Sequence, residues 1–490
     1  MEALRINPES HRSAPVQSGA SDTDVVAVIT TLMERARAAQ KKFAVMGQEA
    51  MDDAVAAVAW AIMEPERNRQ LAELAVEATG LGNVPDKITK NYRKTLGLIR
   101  DLQGVKTSGV ISHNQSTGIV EIARPVGVVA AITPSTNPAA TPANKIINAL
   151  KGGNAIIVAP SPKGVSTSEM LIGFIHEQMR KCGLPTDLVQ TLSAPISKAL
   201  TAELMKQADL VVATGSQSNV NMAYASGTPA FGVGAGNVAS VIDASADLAE
   251  AAKKIILSKT FDNATSCSSE NSVVILDAVY DAMLRELEAA GAVLLTADEK
   301  QTLQDVMWEG GRLSAAVTGL NAATVAKNAK LDRVAAMQEG APKILLVEES
   351  GFGAAHPFSG EKLSPVLTVY RASDFEDAIQ IVSKIYDYMG AGHSVSLHSA
   401  DDEQALTLGQ RLPVARVIVN QPHCFATGGN FDNGLPFSLS MGCGTWGGNN
   451  FSENMNHKHY LNITRVAHQI TPNQPAEADV LGSFWTRYGQ

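Results

Sequence analysis

Cysteine, aromatic residues and charge are all scarce in this chain, and no long apolar segment interrupts it. Only 4 of its 490 residues are cysteine, and aromatic residues make up 5%. No two of the cysteines, Cys182, Cys267, Cys424 and Cys443, form a CxxC pair. A disulfide scaffold is therefore excluded, and we expect a reducing, cytoplasmic setting.

The charge balance and the hydropathy pattern exclude further classes of protein. Lysine and arginine number 40 against 49 aspartate and glutamate, a net charge of −9, which disfavours nucleic-acid and anionic-membrane binding. No window reaches the length of about 18 apolar residues that a membrane span needs. Residues 1–22 are mostly polar and lack the apolar stretch of a secretory signal, so we expect a flexible tail there.

The apolar residues that are present, within a hydrophobic fraction of 45%, follow two periodicities. Helical spacing runs from Asp24 to Met46 and from Glu49 to Thr79. From Val126 onward, short apolar strands alternate with helices. The predicted strands are 126–132, 155–159, 188–192 and 210–213. This alternation predicts a parallel α/β sheet of the nucleotide-binding type.

The alternation restarts after Asp243 with predicted strands at 272–276, 343–347 and 366–370. We therefore predict two parallel-sheet α/β domains, at residues 23–242 and 243–440. Weak alternation over 110–123 predicts a hairpin near 108–124 that protrudes for oligomerisation. Residues 441–490 are expected to return to the first domain or to a neighbouring subunit.

Three segments at predicted strand ends are candidates for ribose or phosphate binding. Gly232–Asn237 narrowly misses the GxGxxG pattern, and a tight turn explains it equally well. Ser161 and Lys163 follow one strand, and Thr214–Ser216 follows another and opens a helix. A helix N-terminus favours phosphate, although an ordinary N-cap has the same composition.

Cys267 and His393 are the candidate reactive side chains. Small polar residues surround Cys267, unlike the apolar setting of an inert core cysteine. Only about 3% of an ordinary thiol is ionised at pH 7, so backbone donors or a nearby cation must activate it. His393 is a candidate proton shuttle, and a structural histidine is the alternative. His457 and His459 lack a third ligand, which argues against a metal site.

Several motifs, in one order, resemble the aldehyde dehydrogenase superfamily and more closely its CoA-acylating branch. They are Asp86–Asn91, Ile132–Pro138, Phe231–Asn237, Phe261–Asn263 with Cys267, Glu361–Val366, Gly392–His393 and Gly442–Asn449. The resemblance runs from about Asp24 to Ala467. Within the branch, Asp86–Leu102 and Ile132–Gly164 look most like acylating sulfoacetaldehyde dehydrogenases. The resemblance implies that residues 23–242 bind the nucleotide and that 243–440 form the catalytic domain.

The resemblance implies a role for individual residues. Cys267 would attack the aldehyde carbonyl, and Asn137 would donate a side-chain N–H to the oxyanion. His393 would act as base or positioning group for the CoA thiol, and no metal is expected. The cofactor site, taken from the resemblance and from the strand ends, would comprise Thr133, Pro134, Ser161, Lys163, Thr214, Gly215, Ser216, Gly234 and Glu361, the last holding the nicotinamide ribose.

One departure from the hydrolytic members of the superfamily bears on the reaction. They carry a glutamate in a Glu-Leu-Gly-Gly motif that activates water, whereas the matching stretch here, Val233–Gly236, has no carboxylate. General-base help is worth about 10²–10⁴-fold in rate, so the thioester on Cys267 should wait for CoA. The implied reaction is reversible, CoA-acylating aldehyde oxidation with NAD(P). Lys163 favours NADP, because a 2′-phosphate needs a nearby cation, and NAD stays the alternative.

The finer resemblance also predicts the substrate sulfoacetaldehyde and the product sulfoacetyl-CoA. Sulfonate oxygens need a cationic or multiply donating pocket, for which Arg93, Lys90 and His423 are candidates. Surface charges on a helix and an ordinary loop histidine are the alternatives. The rival functions are an acylating acetaldehyde or propanal dehydrogenase, a non-acylating aldehyde dehydrogenase and a catalytically silent scaffold. The expected partners are a small aldehyde, CoA and further copies of the chain, as a dimer or tetramer, with no nucleic acid and no membrane.

Overall fold

The computed structural model describes residues 22–337 and 342–490. The tail predicted at residues 1–22 lies outside this part of the chain, apart from Asp22, where the first helix begins. The helices are α1 Asp22–Phe43, α2 Gln48–Met63, α3 Pro65–Thr79, α4 Val84–Leu102, α5 Ala140–Lys151, α6 Val165–Lys181, α7 Lys198–Gln207, α8 Gln217–Ala225, α9 Leu248–Thr260, α10 Tyr280–Ala289, α11 Ala297–Met307, α12 Ala322–Asn328, α13 Asp332–Ala335, α14 Phe375–Tyr388, α15 Asp402–Arg411, α16 His423–Ala426 and α17 Glu477–Tyr488. In the described ranges, no helix has the length and apolar character that crossing a membrane requires.

The strands are grouped into two large parallel sheets and two small antiparallel ones. They are β1 Gly109–Asn114, β2 Ile119–Pro125, β3 Val128–Thr133, β4 Ala155–Pro160, β5 Val189–Thr191, β6 Leu210–Thr214, β7 Ala230–Val233, β8 Val238–Ile242, β9 Glu270–Leu276, β10 Ala292–Leu294, β11 Trp308–Glu309, β12 Arg312–Leu313, β13 Ile344–Glu348, β14 Val366–Ala372, β15 Val395–His398, β16 Val417–Val419 and β17 Leu461–Ala467. The predicted α/β class with two parallel sheets is confirmed.

The first large sheet has the strand order β5-β4-β3-β6-β7, and all neighbouring strands are parallel. Every residue of β3 and β4 is buried, as expected of strands covered by helices on both faces. The chain leaves β3 toward β4 on one side, and later places β6 on the other side. The carboxyl end of β3 is therefore a topological switch point, where such sheets bind ligands.

The second large sheet has the order β10-β13-β14-β9-β8-β15-β16 and is also parallel throughout. The predicted domain boundary after residue 242 lies too late in the sequence, because strand β8 already belongs to this second sheet. β8 pairs with β9 and β15, so the chain changes sheets between Val233 and Val238. The apolar run 238–242 predicts a buried strand, but it carries no information about which sheet the strand joins.

The hairpin predicted near 108–124 is formed by β1 and β2, which pair antiparallel. β17 adds to the other side of β2, from Leu461 opposite Pro125 to Ala467 opposite Ile119. Phe451, Met455 and Tyr460, just before β17, are buried in the core of the first sheet. The C-terminal segment thus returns to the hairpin and first sheet of its own chain.

Helix α4 is unusual because its buried face is polar. Asn83 caps it by accepting a hydrogen bond of 2.9 Å from the backbone N–H of Asp86, and Pro85 stands in the first turn. The buried polar side chains recur at helical spacing and are Lys87, Lys90, Asn91, Lys94 and Thr95. Because ammonium groups are buried only when they are paired, this face predicts polar partners in the segment that it covers.

Candidate active site

The segment that leads to Cys267 has an uncommon backbone. Asp262, Asn263 and Ala264 have φ values of 51°, 53° and 59°, three consecutive non-glycine residues in the left-handed region. Each such residue costs about 1–2 kcal/mol, so the surrounding contacts must hold the turn. The side-chain amide of Asn263 donates to the carbonyls of Gly82 at 3.1 Å and Gly319 at 3.0 Å.

Asp262 anchors this turn to the polar face of α4. Its Oδ2 accepts hydrogen bonds from Lys90 Nζ at 2.5 Å, Thr265 Oγ1 at 2.8 Å and Lys87 Nζ at 3.1 Å. Burial alone would raise the pKa of Asp262, but the two ammonium groups hold it below its ordinary value. Burial lowers the pKa of Lys87 to about 8, with the Asp262 carboxylate opposing the shift. The Cys267 loop is thereby fixed to α4 by buried, charge-assisted hydrogen bonds.

The same lysine orients Asn137, which follows β3. Lys90 Nζ donates to Asn137 Oδ1 at 2.7 Å, and Lys87 Nζ donates to the carbonyl of Thr136 at 3.0 Å. The amide nitrogen of Asn137 has only a 3.5 Å contact with Thr136 Oγ1. Because its oxygen is held by a cation, the amide presents its N–H groups as free donors.

The thiol of Cys267 lies beside Glu361, close to Gly236. The Cys267 side chain is half-buried, and burial together with the Glu361 carboxylate raises the pKa of this thiol to about 12. Glu361 accepts a hydrogen bond from the Gly236 backbone N–H, and burial raises the pKa of Glu361 to about 7. A Cβ at Gly236 would lie 2.4 Å from the Cys267 carbonyl oxygen and 2.9 Å from the His393 ring. Only glycine fits this place, where Cys267, His393 and Glu361 converge.

His393 is surrounded in a way that keeps its imidazole ring uncharged. The ring is buried, with Nδ1 2.7 Å from Ser394 Oγ, and Nε2 has no hydrogen-bond partner among the described residues. Burial and the nearby Arg416 guanidinium hold the pKa of His393 well below its ordinary value. The imidazole is therefore uncharged at neutral pH, with one nitrogen available to accept a hydrogen bond, and it is a weaker base than an ordinary histidine.

A cavity between α4 and the Cys267 loop is rich in cations. Its lining comprises Lys90, Arg93, Lys94, Asn137, Phe261, Ser266, Ser268, Cys424, Gly428, Ser438, Leu439 and Met441. None of these lining residues is acidic, and Ser266 and Ser268 flank Cys267 in the sequence. The cavity therefore brings Asn137 and the two serines that flank the nucleophile together with a positive surface.

The cationic side chains of this cavity differ in how many N–H groups remain free to bind a ligand. Lys94 Nζ donates to the carbonyls of Gly428 at 2.8 Å and Gly429 at 3.1 Å, and burial lowers its pKa to about 7. Arg93 uses one terminal nitrogen for the carbonyl of Phe425 at 3.1 Å and for the Asn430 side chain. Since a guanidinium carries five N–H donors, Arg93 retains several for a ligand. Lys94 was not among the predicted site residues, although it lies four residues after Lys90 on the same helix face, a spacing that identifies it from the sequence.

His423 has a different place from the one predicted. Its Nδ1 lies 2.8 Å from the Ser268 carbonyl and 2.9 Å from Thr427 Oγ1, and the ring is fully buried behind the cysteine loop. Burial lowers the pKa of His423 to about 4, so the ring is neutral. It does not line the cation-rich cavity. A histidine in a loop gives no sequence signal that separates these two positions.

The predicted cofactor residues gather at the carboxyl edge of the first sheet. Thr133 ends β3, Ser161 follows β4, Thr214 ends β6 and Gly234 follows β7. Thr133 Oγ1 and Ser161 Oγ are buried without a hydrogen-bond partner among the described residues. Two orphaned hydroxyls on neighbouring strands at a switch point fit a dinucleotide that bonds them.

The remaining cofactor candidates border this edge. Ser216 caps α8 by accepting from the backbone N–H of Asn219 at 3.3 Å, and Gly215, with φ of 148°, lies against Pro134. Lys163 is exposed in the turn after β4. A Cβ at Gly234 would come within 2.5 Å of Gln217 Oε1, so glycine keeps this edge open. Thr214 departs from the prediction in one respect, because its hydroxyl already pairs with Ser440 Oγ at 2.8 Å.

The chain is similar to known proteins over most of its length. The profile of the aldehyde dehydrogenase family matches residues 6–308. An acylating sulfoacetaldehyde dehydrogenase of Cupriavidus necator is 65% identical over 478 residues, covering 98% of this chain and 96% of that protein. One of Bilophila wadsworthia is 42% identical, with coverages of 94% and 99%.

The solved structures agree as well. An acetylating aldehyde dehydrogenase from Geobacillus thermoglucosidasius superposes with a TM-score of 0.88 at 35% identity, covering 93% of this chain and 99% of that one. The expected aldehyde dehydrogenase-like fold is thus confirmed. With a family profile that spans more than half of the sequence and relatives matched over nearly their full length, this chain belongs to the aldehyde dehydrogenase family.

Proposed function

We propose that this protein is a CoA-acylating aldehyde dehydrogenase that oxidises sulfoacetaldehyde to sulfoacetyl-CoA with NAD(P). The observation that carries the proposal is the cation-rich, acid-free cavity that opens beside Cys267 and Asn137. The acylating sulfoacetaldehyde dehydrogenase at 65% identity supports the same substrate and product. Cys267, Asn137 and Glu361 are all present in the chain, which disfavours a catalytically silent scaffold.

In the first half of the reaction, Cys267 loses its thiol proton to solvent, and the thiolate attacks the aldehyde carbon, whose carbonyl oxygen becomes an oxyanion. Asn137 donates to that oxygen from an amide that Lys90 already holds in place, so little reorganisation is needed. A nicotinamide held at the sheet edge would supply the acceptor for the hydride of the aldehyde. Cys267 then carries the acyl group as a thioester.

In the second half, the acyl group passes to CoA rather than to water. The segment that carries the water-activating glutamate in hydrolytic relatives, Val233–Gly236, is apolar here and supplies no carboxylate. His393 Nε2, which has no hydrogen-bond partner among the described residues, accepts a hydrogen bond from the CoA thiol and orients it toward the thioester, while the thiol proton passes to solvent. The thiolate attacks the thioester carbon, and Cys267 leaves as its own thiolate.

The sulfonate is proposed to bind Arg93, with the ammonium of Lys90 nearby. Arg93 retains free N–H donors, and it is held rigidly by Phe425, whose ring lies 4.8 Å from the guanidinium carbon. A planar guanidinium suits an oxyanion with several acceptor oxygens. Ser266, Ser268 and Ser438 also line the cavity, although Ser438 already donates to the Ser440 carbonyl and the hydroxyls of Ser266 and Ser268 bond to each other. For the cofactor, we favour NADP, because the exposed ammonium of Lys163 can pair with the 2′-phosphate of NADP. NAD is the alternative.

The test compares sulfoacetaldehyde with propanal, using wild type and the variant Arg93→Gln. We expect kcat/KM for sulfoacetaldehyde to fall about 10–100-fold in the variant, since a hydrogen bond to a charged group is worth about 1.5–3 kcal/mol. The value for propanal should change less than about threefold. Arg100→Gln, an exposed position on the same helix, is the matched control.

Two results would contradict the proposal. A wild-type preference for propanal would favour an acylating dehydrogenase of uncharged aldehydes. Rapid release of free acid without CoA would favour a hydrolytic enzyme. The cofactor preference is measured by running the same assays with NAD and with NADP. Cys267→Ala should abolish turnover, and surviving turnover would remove Cys267 from the reaction.

A further inference from the structure

A buried arginine joins the His393 loop to two later segments of the chain. Arg416 directly precedes β16, and its side chain is buried. Its Nη1 donates to the carbonyls of His393 at 3.2 Å and Gly442 at 2.9 Å. Its Nε donates to Asn454 Oδ1 at 2.7 Å, and its Nη2 donates to the carbonyl of Ser452 at 3.1 Å. One side chain thereby holds three segments in a fixed arrangement.

None of the four acceptors of Arg416 is a carboxylate. A guanidinium that is buried without an ion pair is costly, so its place in the interior depends on these hydrogen bonds. Its planar fork of five N–H donors can serve four acceptors at once, whereas an ammonium has three donors and an aliphatic side chain has none. The arrangement therefore requires arginine rather than a cation of any kind.

The His393 loop is closely packed against two neighbouring segments. The His393 ring lies against Gly236, where a Cβ would come within 2.9 Å of the ring and would overlap the carbonyl oxygen of Cys267. The preceding residue, Gly392, has a φ of 88°, and a Cβ there would overlap the carbonyl oxygen of Cys443. The position of the ring beside the nucleophile therefore depends on where the segment around Cys443 lies.

We propose that Arg416 is a positioning residue for the transfer of the acyl group to CoA. By holding the carbonyls of His393 and Gly442 together, it keeps His393 Nε2 where the CoA thiol can donate a hydrogen bond to it. The inference rests on the proposed function in one respect, the contact of His393 with the CoA thiol. Loss of Arg416 frees the His393 loop, and the thiol then meets the thioester in a less productive orientation.

Formation of the thioester depends on other contacts. Asn137 and the Cys267 loop are both held by Lys90, which donates to Asn137 Oδ1 and to Asp262. Arg416 donates to none of these residues. We therefore expect the two halves of the reaction to respond differently when Arg416 is replaced.

The experiment measures the two halves separately in full-length Arg416→Met, with sulfoacetaldehyde and, in parallel, propanal. Aldehyde mixed with NADP or NAD in the absence of CoA forms the thioester, which is followed as a burst of reduced cofactor. CoA mixed with the preformed thioester then yields acyl-CoA, which is followed by chemical quenching. We expect acyl transfer at saturating CoA to slow about 10–100-fold, because a misplacement of about 1 Å can cost about 10²-fold, while the burst rate and amplitude change less than about threefold.

Two further variants separate position from charge and from the loss of any arginine. Arg416→Lys keeps the charge but has three donors for four acceptors, so acyl transfer should remain slow and the burst intact. If Arg416 acted through its charge on the Cys267 thiol, Arg416→Met would slow the burst and Arg416→Lys would restore it, which would overturn the proposal. Arg411→Met, which loses an exposed ion pair with Glu376, is the matched control and should leave both halves unchanged. Should Arg416→Met fold poorly, as judged by circular dichroism, Arg416→Lys decides the question alone.

Equal losses in burst and acyl transfer would mean a purely structural role and would contradict the proposal. If Arg416 acts through His393, adding Arg416→Met to His393→Ala should slow acyl transfer by less than about threefold more, whereas full multiplication of the two effects would show independent roles. If His393→Ala leaves acyl transfer at the wild-type rate, the contact of His393 with the CoA thiol is wrong, and the role of Arg416 falls with it. Steady wild-type turnover without CoA would instead remove the acylating function itself.

Discussion

At the residue scale, reactivity around Cys267 is governed by what surrounds the thiol rather than by the thiol itself. Burial and the Glu361 carboxylate raise the pKa of Cys267 to about 12, so the sulfur is protonated at neutral pH unless its surroundings change. Asn137 is prepared differently. Its amide oxygen is bound by Lys90, and this one contact directs the amide nitrogen to a free donor position. Oxyanion stabilisation is thus built into the resting arrangement, whereas thiol ionisation is not.

Removing the Asn137 side chain should therefore reduce turnover far more than binding. Loss of one oxyanion donor costs about 2.7–4 kcal/mol, so Asn137→Ala should lower kcat about 10²–10³-fold with KM changed much less. Steady-state rates with saturating CoA measure this, and Asn328→Ala, an exposed amide on α12, is the control. A kcat within threefold of wild type would show that Asn137 does not contact the reacting oxygen.

At the element scale, the active site depends on a left-handed turn packed against a polar helix face. The turn at Asp262–Ala264 is costly in isolation, and the lysines of α4 are costly when buried alone. The hydrogen bonds that the Asp262 carboxylate accepts from Lys87 and Lys90 offset both costs: they hold the turn and they pair the buried ammonium groups. The local sequence predicts the helix and the reactive cysteine, but the pairing of Lys90 with Asp262 across 172 residues leaves no periodic signal.

Neutralising Asp262 should accordingly destabilise the whole protein. Asp262→Asn keeps the side-chain shape and tolerates the left-handed backbone, but it removes the charge and replaces one acceptor oxygen with an amide donor. We expect the free energy of unfolding in urea to fall by about 3–5 kcal/mol, because two buried ammonium groups lose their carboxylate. Asp277→Asn breaks the exposed pair with Arg371 and should cost less than about 1 kcal/mol. Equal losses in the two variants would mean that the buried cluster contributes no more than a surface ion pair.

At the scale of the whole molecule, the order of elements was predictable and their partners were not. Alternating apolar runs predict both parallel sheets, and the strand ends predict that Ser161 and Thr214 lie at one edge, because parallel strands share one carboxyl edge. The same runs do not show that β8 joins the second sheet.

The C-terminal helix α17 carries the exposed apolar side chains that would join copies of the chain in the predicted oligomer. None of the residues of α17 is buried, and Val480, Leu481, Phe484 and Tyr488 expose apolar side chains. A 12-residue helix is marginally stable in water by itself, so an apolar face of this kind requires a surface to cover it. We expect that surface to belong to a second copy of the chain.

Deleting residues 477–490 should therefore lower the assembly state while leaving the protomer folded. Light scattering should give two or four times 51.6 kDa for the full chain, and the truncated chain should dissociate to smaller species on dilution. Its melting temperature at high concentration should change by only a few degrees, because no side chain of α17 is buried in the protomer. Phe484→Ser should act in the same direction as the deletion, and Arg487→Gln, exposed on the same helix, should not. If the truncated chain keeps the mass of the full assembly at every dilution, α17 does not join the copies, and the exposed edges of the β1-β2-β17 sheet become the remaining place for that contact.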